Sequence, residues 1–140
     1  MLKYLLHATD LVEEHLEYFE SSIKIAKQLH ANLFILHVLE QPKTWQLAQG
    51  LGLIENIPLP EDDTQVLMQT LAKEYKLAAE NMLVMQGSVK HKIIECIHDL
   101  QIDLLLIGAP SNPLMQGELS HLSHYLIDHA PCDVMLLHKH

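Results

Sequence analysis

Asp103-Leu104-Leu105-Leu106-Ile107-Gly108 places four consecutive apolar residues between an acidic residue and a glycine. The run is too short for a buried helix, and a strand with one wet face would alternate polar with apolar residues. A strand apolar on both faces is instead the mark of a sheet covered by helices above and below, as parallel sheets are. The segments on either side agree. Upstream, Ser88 is placed to cap a helix whose stripe is Val89, Ile93, Ile94, Ile97 and Leu100, and before it Asn81 to Gln86 reads as a strand stopped by Gly87. Downstream, a loop over 109–117 holds Pro110, Asn112, Pro113 and Gly117. A helix over about 118–129 follows, ending before Pro131 because a proline pushes the residue ahead of it out of the helical region. Val134-Met135-Leu136-Leu137 closes the chain as a last strand.

The N-terminal half repeats the alternation. Tyr4 to Ala8 reads as a buried strand ended by Thr9 and Asp10. From Glu13 to His30, Leu16, Phe19, Ile23, Ala26 and Leu29 recur at helical spacing, with Glu13, Glu14 and Glu17 early and Lys24 and Lys27 late, the order that complements a helix dipole. Leu33 to Leu39 is the second strand. Pro42, Gly50, Gly52, Pro58 and Pro60 make 40–61 a long loop, in which Trp45 to Ala48 has the composition of one helical turn. Asp62-Asp63-Thr64 is read as the cap of a helix with Val66, Leu67, Leu71, Tyr75 and Leu77 on its apolar face. Five strands alternating with helices predict one α/β domain over 1–140: an open, mostly parallel, Rossmann-like five-stranded sheet with helices on both faces. Ligands of such sheets bind beyond the carboxyl ends of the strands, where Asp10, Leu39-Glu40, Gly87-Ser88 and Gly108 to Ser111 fall.

Composition narrows the partners. Of the 140 residues, 49% are hydrophobic and 19% charged, which is globular rather than disordered. Eighteen Asp and Glu against nine Lys, with no arginine, give a net charge of −9, which repels a polyphosphate backbone and excludes nucleic acid. No window reaches the roughly 20 apolar residues that cross a bilayer. No secretory pattern opens the chain, and Cys96 and Cys132 sit in apolar stretches without CxxC spacing, so both read as reduced thiols in a cytoplasmic protein.

Four stretches resemble the universal stress protein family: the opening strand ending in Ala8-Thr9-Asp10, Leu36-His37-Val38, Asp103 to Gly108, and His129-Ala130-Pro131-Cys132-Asp133-Val134 with the three residues after it. They occur in the family's order across nearly the whole chain. The resemblance implies a small five-stranded α/β fold and a homodimer joined through the final strand. Nucleotide-binding members carry Gly-x-x-Gly and, further on, a Gly followed by Ser or Thr, whose amides and hydroxyl cradle phosphates. Here Gly108 keeps the first position, Ser111 stands at the second glycine, and Ser120-His121 falls where the later pair belongs. Pro110 and Pro113 remove two more amide donors, and no arginine replaces them. This resembles the universal stress protein A type: a non-enzymatic stress-response protein, without tight ATP binding, that acts through protein contacts. The alternative is an ATP- or AMP-binding sensor. In that reading Asp10 takes a ribose hydroxyl, Val38 packs the base, and Gly108, Ser111, Ser120 and His121, with Ser123 nearby, form a degraded phosphate site. Asp10 reads equally as a turn or helix cap.

The eleven histidines are the unusual count. His121-x-x-His124 spans one helical turn near His129, but neither a Cys pair nor His-Glu-x-x-His completes a zinc site, so no metal is expected. His7 and His37, inside apolar strands, read as packed imidazoles with one hydrogen bond each. No Gly-x-Ser-x-Gly elbow or Cys/His signature is present, and no catalytic residue is expected. The last strand, Cys132 to Leu137, carries apolar groups on both faces, and its free edge invites a second copy.

Overall fold

Leu104–Gly108 is the fourth strand, β4, of a parallel five-stranded sheet in a computed structural model. Residues 2–9, 16–40, 47, 50–52, 61–109 and 116–138 are described, excepting the side chains of 61, 62 and 116–121. The other strands are β1 (Tyr4–Ala8), β2 (Asn32–Leu39), β3 (Met82–Gln86) and β5 (Asp133–Leu137). The helices are α1 (Leu16–Leu29), α2 (Glu61–Glu74), α3 (Val89–Leu100) and α4 (Gln116–His129), with a 3₁₀ turn at Ala79–Asn81.

The sheet order is β3-β2-β1-β4-β5, every neighbouring pair parallel. The chain thus winds outward from β1 through β2 to β3, returns across β1 to β4, and winds the other way to β5. Reversal of direction with constant crossover handedness puts the later helices on the opposite face. The two cores have this composition. On one face Leu5, Leu33, Ile35, Leu104 and Leu106 meet α1 and α2; on the other Leu6, Leu36, Leu105 and Ile107 meet α3 and α4. Alternate residues of the 104–107 run therefore serve both cores, which is why all four had to be apolar.

Several expectations need correction. The buried face of α1 is Tyr18, Phe19, Ser22, Ile23 and Ala26, while Leu29 is 41% exposed, because the last turn runs past the sheet. In α2 the buried residues are Met68, Leu71 and Ala72, whereas Val66 and Leu67 face solvent. Asp63 and Thr64 lie inside that helix rather than capping it. Ser88 occupies the N-cap of α3, yet its side chain makes no capping bond. In β5, Met135 and Leu136 are over a third exposed, since an edge strand has one neighbour instead of two. The start of the first helix before Leu16, the turn at Trp45, and the loop from Pro110 to Met115 lie outside the described residues.

Helix ends are set by backbone geometry. His30, Lys76 and Gln101 take left-handed φ values of 52°, 57° and 52° just after α1, α2 and α3. The following amides turn back: Ala31 N to Ala26 O, Leu77 N to Ala72 O and Ile102 N to Ile97 O, closing Schellman-type caps without glycine. Gly87, at φ 141°, makes the turn from β3 into α3 while its N–H donates to Leu39 O at 3.0 Å.

Candidate functional site

Because the winding reverses at β1, the helices on either side of it leave in opposite directions and open a crevice at the strand ends. A cavity of about 140 Å³ lies there. β1 contributes His7, Ala8 and Thr9, β2 contributes Leu36, His37 and Val38, and Ile107, Gly108 and Ala109 come from β4 and the residue after it. Tyr18 of α1, Val89 and Ile93 of α3, and Leu122 and Ser123 of α4 close the sides. A larger concavity of about 530 Å³ runs along α2 beside Gln65, Gln69 and Lys73, but it is an open surface groove away from the strand ends.

The polar groups of the cavity are fixed by backbone. His7 is 2% exposed and its Nδ1 lies 3.0 Å from the Leu106 carbonyl, on the strand beside it. His37 is half-buried, with Nδ1 2.8 Å from the Thr9 carbonyl. A carbonyl only accepts, so in each imidazole Nδ1 carries a proton and donates. Phe19 meets His7 edge-on at 6.4 Å. The Tyr18 hydroxyl donates to Ala109 O at 2.9 Å, and its ring lies over Gly108 so closely that a Cβ there would sit 2.6 Å from Cε2. Gly108 is thus required for packing whatever else it does.

The described lining contains no Asp, Glu or Lys. It is mostly apolar, with imidazoles and hydroxyls as its polar side-chain groups. Among the described residues no three His, Cys, Asp or Glu side chains are grouped to hold a metal ion. The Cys96 Sγ lies 3.7 Å from the Met85 Sδ in the α3 core, and burial, with Asp99 and Glu95 adding to it, pushes its thiol up to about 11.

Of the residues expected at the site, Val38 and Gly108 meet in the cavity, together with Ser123. Asp10 and Ser111 lie outside the described residues; Ser120 and His121 belong to α4, one turn or less before Ser123, with side chains outside the description. His7 and His37 do each hold one backbone hydrogen bond, but both also line the cavity. Tyr18 was missed. His129 holds the end of α4 through Tyr125 O at 2.9 Å and stacks on the Tyr125 ring at 4.1 Å, away from the cavity.

Residues 1–138 match the universal stress protein family. The chain belongs to that family. It is 25% identical over 138 residues to universal stress protein A homolog 1 of Coxiella burnetii, covering 95% of this chain and 94% of that one. Among solved structures it is similar to the universal stress protein UspA of Lactobacillus plantarum, with TM-score 0.64, 23% identity and 97% of each chain covered. It also resembles a universal stress protein crystallised in complex with cAMP, with TM-score 0.69, 15% identity, and 98% and 97% covered. At these identities the solved structures establish the shared five-stranded α/β fold. No helix among the described residues of this universal stress protein is long and apolar enough to cross a membrane.

Proposed function

We propose that this universal stress protein is a non-enzymatic, homodimeric, cytoplasmic stress-response protein that acts through contacts with other proteins. Its strand-end cavity takes the ring of a small ligand without a grip that retains ATP. The observation that carries this is the ring-sized cavity with no charged side chain in its described lining. A triphosphate needs cations or a row of open amides. Here the ring of Tyr18 packs on Gly108 where a side chain would sit, the sequence puts Ser111 where the family's phosphate-binding members have a second glycine, and Pro110 and Pro113 lack amide donors. Equilibrium dialysis against ATP with Mg²⁺ is the test: no binding at micromolar concentration is expected, and micromolar binding overturns the proposal.

The dimer is proposed through β5. Its outer edge has no strand partner among the described residues, and Met135 and Leu136 stand over a third exposed beside it. Leu136→Lys should shift sedimentation from dimer to monomer while leaving the fold intact.

A second reading, an adenine-nucleotide sensor using Asp10, Val38 and Gly108, draws support from the related protein crystallised with cAMP and from the meeting of Val38 with Gly108 in one cavity. Micromolar nucleotide binding that Asp10→Ala abolishes would favour it.

A further inference from the structure

The edge of the sheet opposite β5 is β3, and it is built like an interior strand. Met82-Leu83-Val84-Met85 is apolar on both faces, Met82 and Val84 joining the core under α1 and α2, Leu83 and Met85 the core under α3 and α4. The matching run of β4 is fully buried, whereas Leu83, Val84 and Met85 are only half-buried, with β2 as their one neighbour among the described residues. None of the features that blunt an edge is present: the strand has no charge, no proline and no bulge, its register to β2 running residue for residue. Gly87 N–H donates to Leu39 O, so Met85 and Leu83 also turn their backbone to β2, and Val84 turns its N–H and C=O outward, where no described strand meets them. The groove along α2 lies on the same side. α2 packs on β3 with Tyr75 against Phe19 of α1, and Val66, Gln69 and Lys73 occupy the opposite flank of the helix, beside Ala79 of the turn that leads into β3.

We infer that this edge and groove are a docking surface for an extended segment of a partner protein, which adds to β3 as a sixth strand. This rests on the reading that the protein acts through contacts with other proteins, and gives those contacts a surface. Outward N–H and C=O groups in strand geometry are matched by another strand and not by a helix. About 4.8 Å beyond β3, alternate side chains of that strand fall on opposite faces. On one face they extend the half-buried patch of Leu83 and Met85, which calls for valine or isoleucine. On the other they meet the groove, whose described lining holds Lys73 and no carboxylate in a chain with twice as many acids as lysines. Lys73 has no ion pair among the described residues, so a carboxylate in the segment finds its partner there. A second copy of this chain fits less well. With β5 given to the dimer, pairing at β3 as well would run one sheet through copy after copy without closing.

The probe is the labelled octapeptide Ser-Val-Thr-Val-Glu-Val-Thr-Ser, with valine on one face of a strand and threonine and glutamate on the other; a scrambled peptide of the same composition is the control. Fluorescence anisotropy with the full chain should show saturable binding of the probe and about tenfold weaker binding of the control. Lys73→Glu should weaken the probe about two- to fivefold and favour, by a similar factor, its variant with lysine in place of glutamate, the scale of an exposed ion pair. Val84→Pro, which removes the outward N–H, should abolish binding. Hydrogen exchange of the wild type covers the case in which that variant fails to fold. The Val84 amide should exchange fast in the free protein and about tenfold more slowly at ten times the dissociation constant of the probe, while the Met85 amide, turned to β2, is protected throughout. If the probe does not bind, or binds with the exchange of Val84 unchanged, the docking surface is overturned while the dimer and the lack of an ATP grip stand. Protection of Val84 without peptide means that the edge is already taken, by a second copy if sedimentation runs beyond the dimer, and overturns it too. Micromolar ATP binding by a protein that still docks the probe overturns the proposed function alone.

Discussion

Replacing Gly108 by alanine separates a packing role from a ligand-binding one. A Cβ built on Gly108 lies 2.6 Å from Cε2 of Tyr18, closer than real Cβ atoms approach, and a tight 3.1 Å from its Cγ, so either the ring or β4 must move. The ring is 2% exposed and tied through its hydroxyl to Ala109 O at 2.9 Å. The strand is held in register by β1 on one side and β5 on the other. Forced overpacking of this kind costs about 1–3 kcal/mol. Losing the Tyr18 bond with its acceptor still buried adds about 1 kcal/mol. Gly108→Ala should therefore lose about 2–4 kcal/mol, a large share of the roughly 5–15 kcal/mol typical of a domain. Equilibrium urea unfolding, read as a lowered midpoint at constant slope, measures it. Tyr18→Leu removes the obstructing ring, and in that background the same methyl should cost less than about 1 kcal/mol, the difference being the coupling between the two positions. A loss below about 0.5 kcal/mol in the wild type, or an equal loss in both backgrounds, refutes the reasoning.

Asp103 accepts hydrogen bonds from the backbone N–H groups of Tyr4 and Lys3, each at 2.9 Å, and these hold its carboxyl below the usual carboxylate range. Its folded value being lower than its unfolded one, the stabilisation is complete above about pH 4 and is lost as pH falls through the folded value; Asp103→Asn should flatten the acid limb of a melting-temperature profile, and an unchanged limb contradicts this. Lys76→Gly and Gln101→Gly, at φ 57° and 52°, should each raise stability by relieving left-handed strain. The expected gain is about 0.5–1 kcal/mol apiece after the entropy of the freed glycine is counted, and a lowered urea midpoint would speak against it. Burial raises the thiols of both Cys96, to about 11, and Cys132, the latter partly offset by a hydrogen bond from the Leu105 backbone. A thiol reagent at pH 8 should label half-buried Cys132 first and Cys96 only through opening of the core; fast stoichiometric labelling of Cys96 would overturn that order.

What could be read from the chain follows from how local each determinant is. The 104–107 run announced a two-faced strand because both cores draw on four adjacent residues. The face of α2 was misread because Val66-Leu67-Met68 offers apolar residues at successive positions, and only the sheet selects Met68, with Leu71 and Ala72, as the side to bury. Val38 and Gly108 were found from strand ends and a motif position. Tyr18 was not, since its contact with Gly108 and Ala109 joins distant segments and needs the position of α1 across β4. Likewise the histidines were recognisable as buried, but their hydrogen bonds from Nδ1 depend on carbonyls of neighbouring strands, and those are assigned only by the order β2-β1-β4.

The same order explains why family membership and ligand chemistry come apart here. Reversal of winding at β1 produces the crevice in any chain with this topology, so similarity at 15–25% identity carries the crevice with the fold. What the crevice holds depends on few residues. Gly108 is retained, and the aromatic ring of Tyr18 fills the space that a side chain at that position would take. The described walls offer imidazole and hydroxyl groups in place of cations.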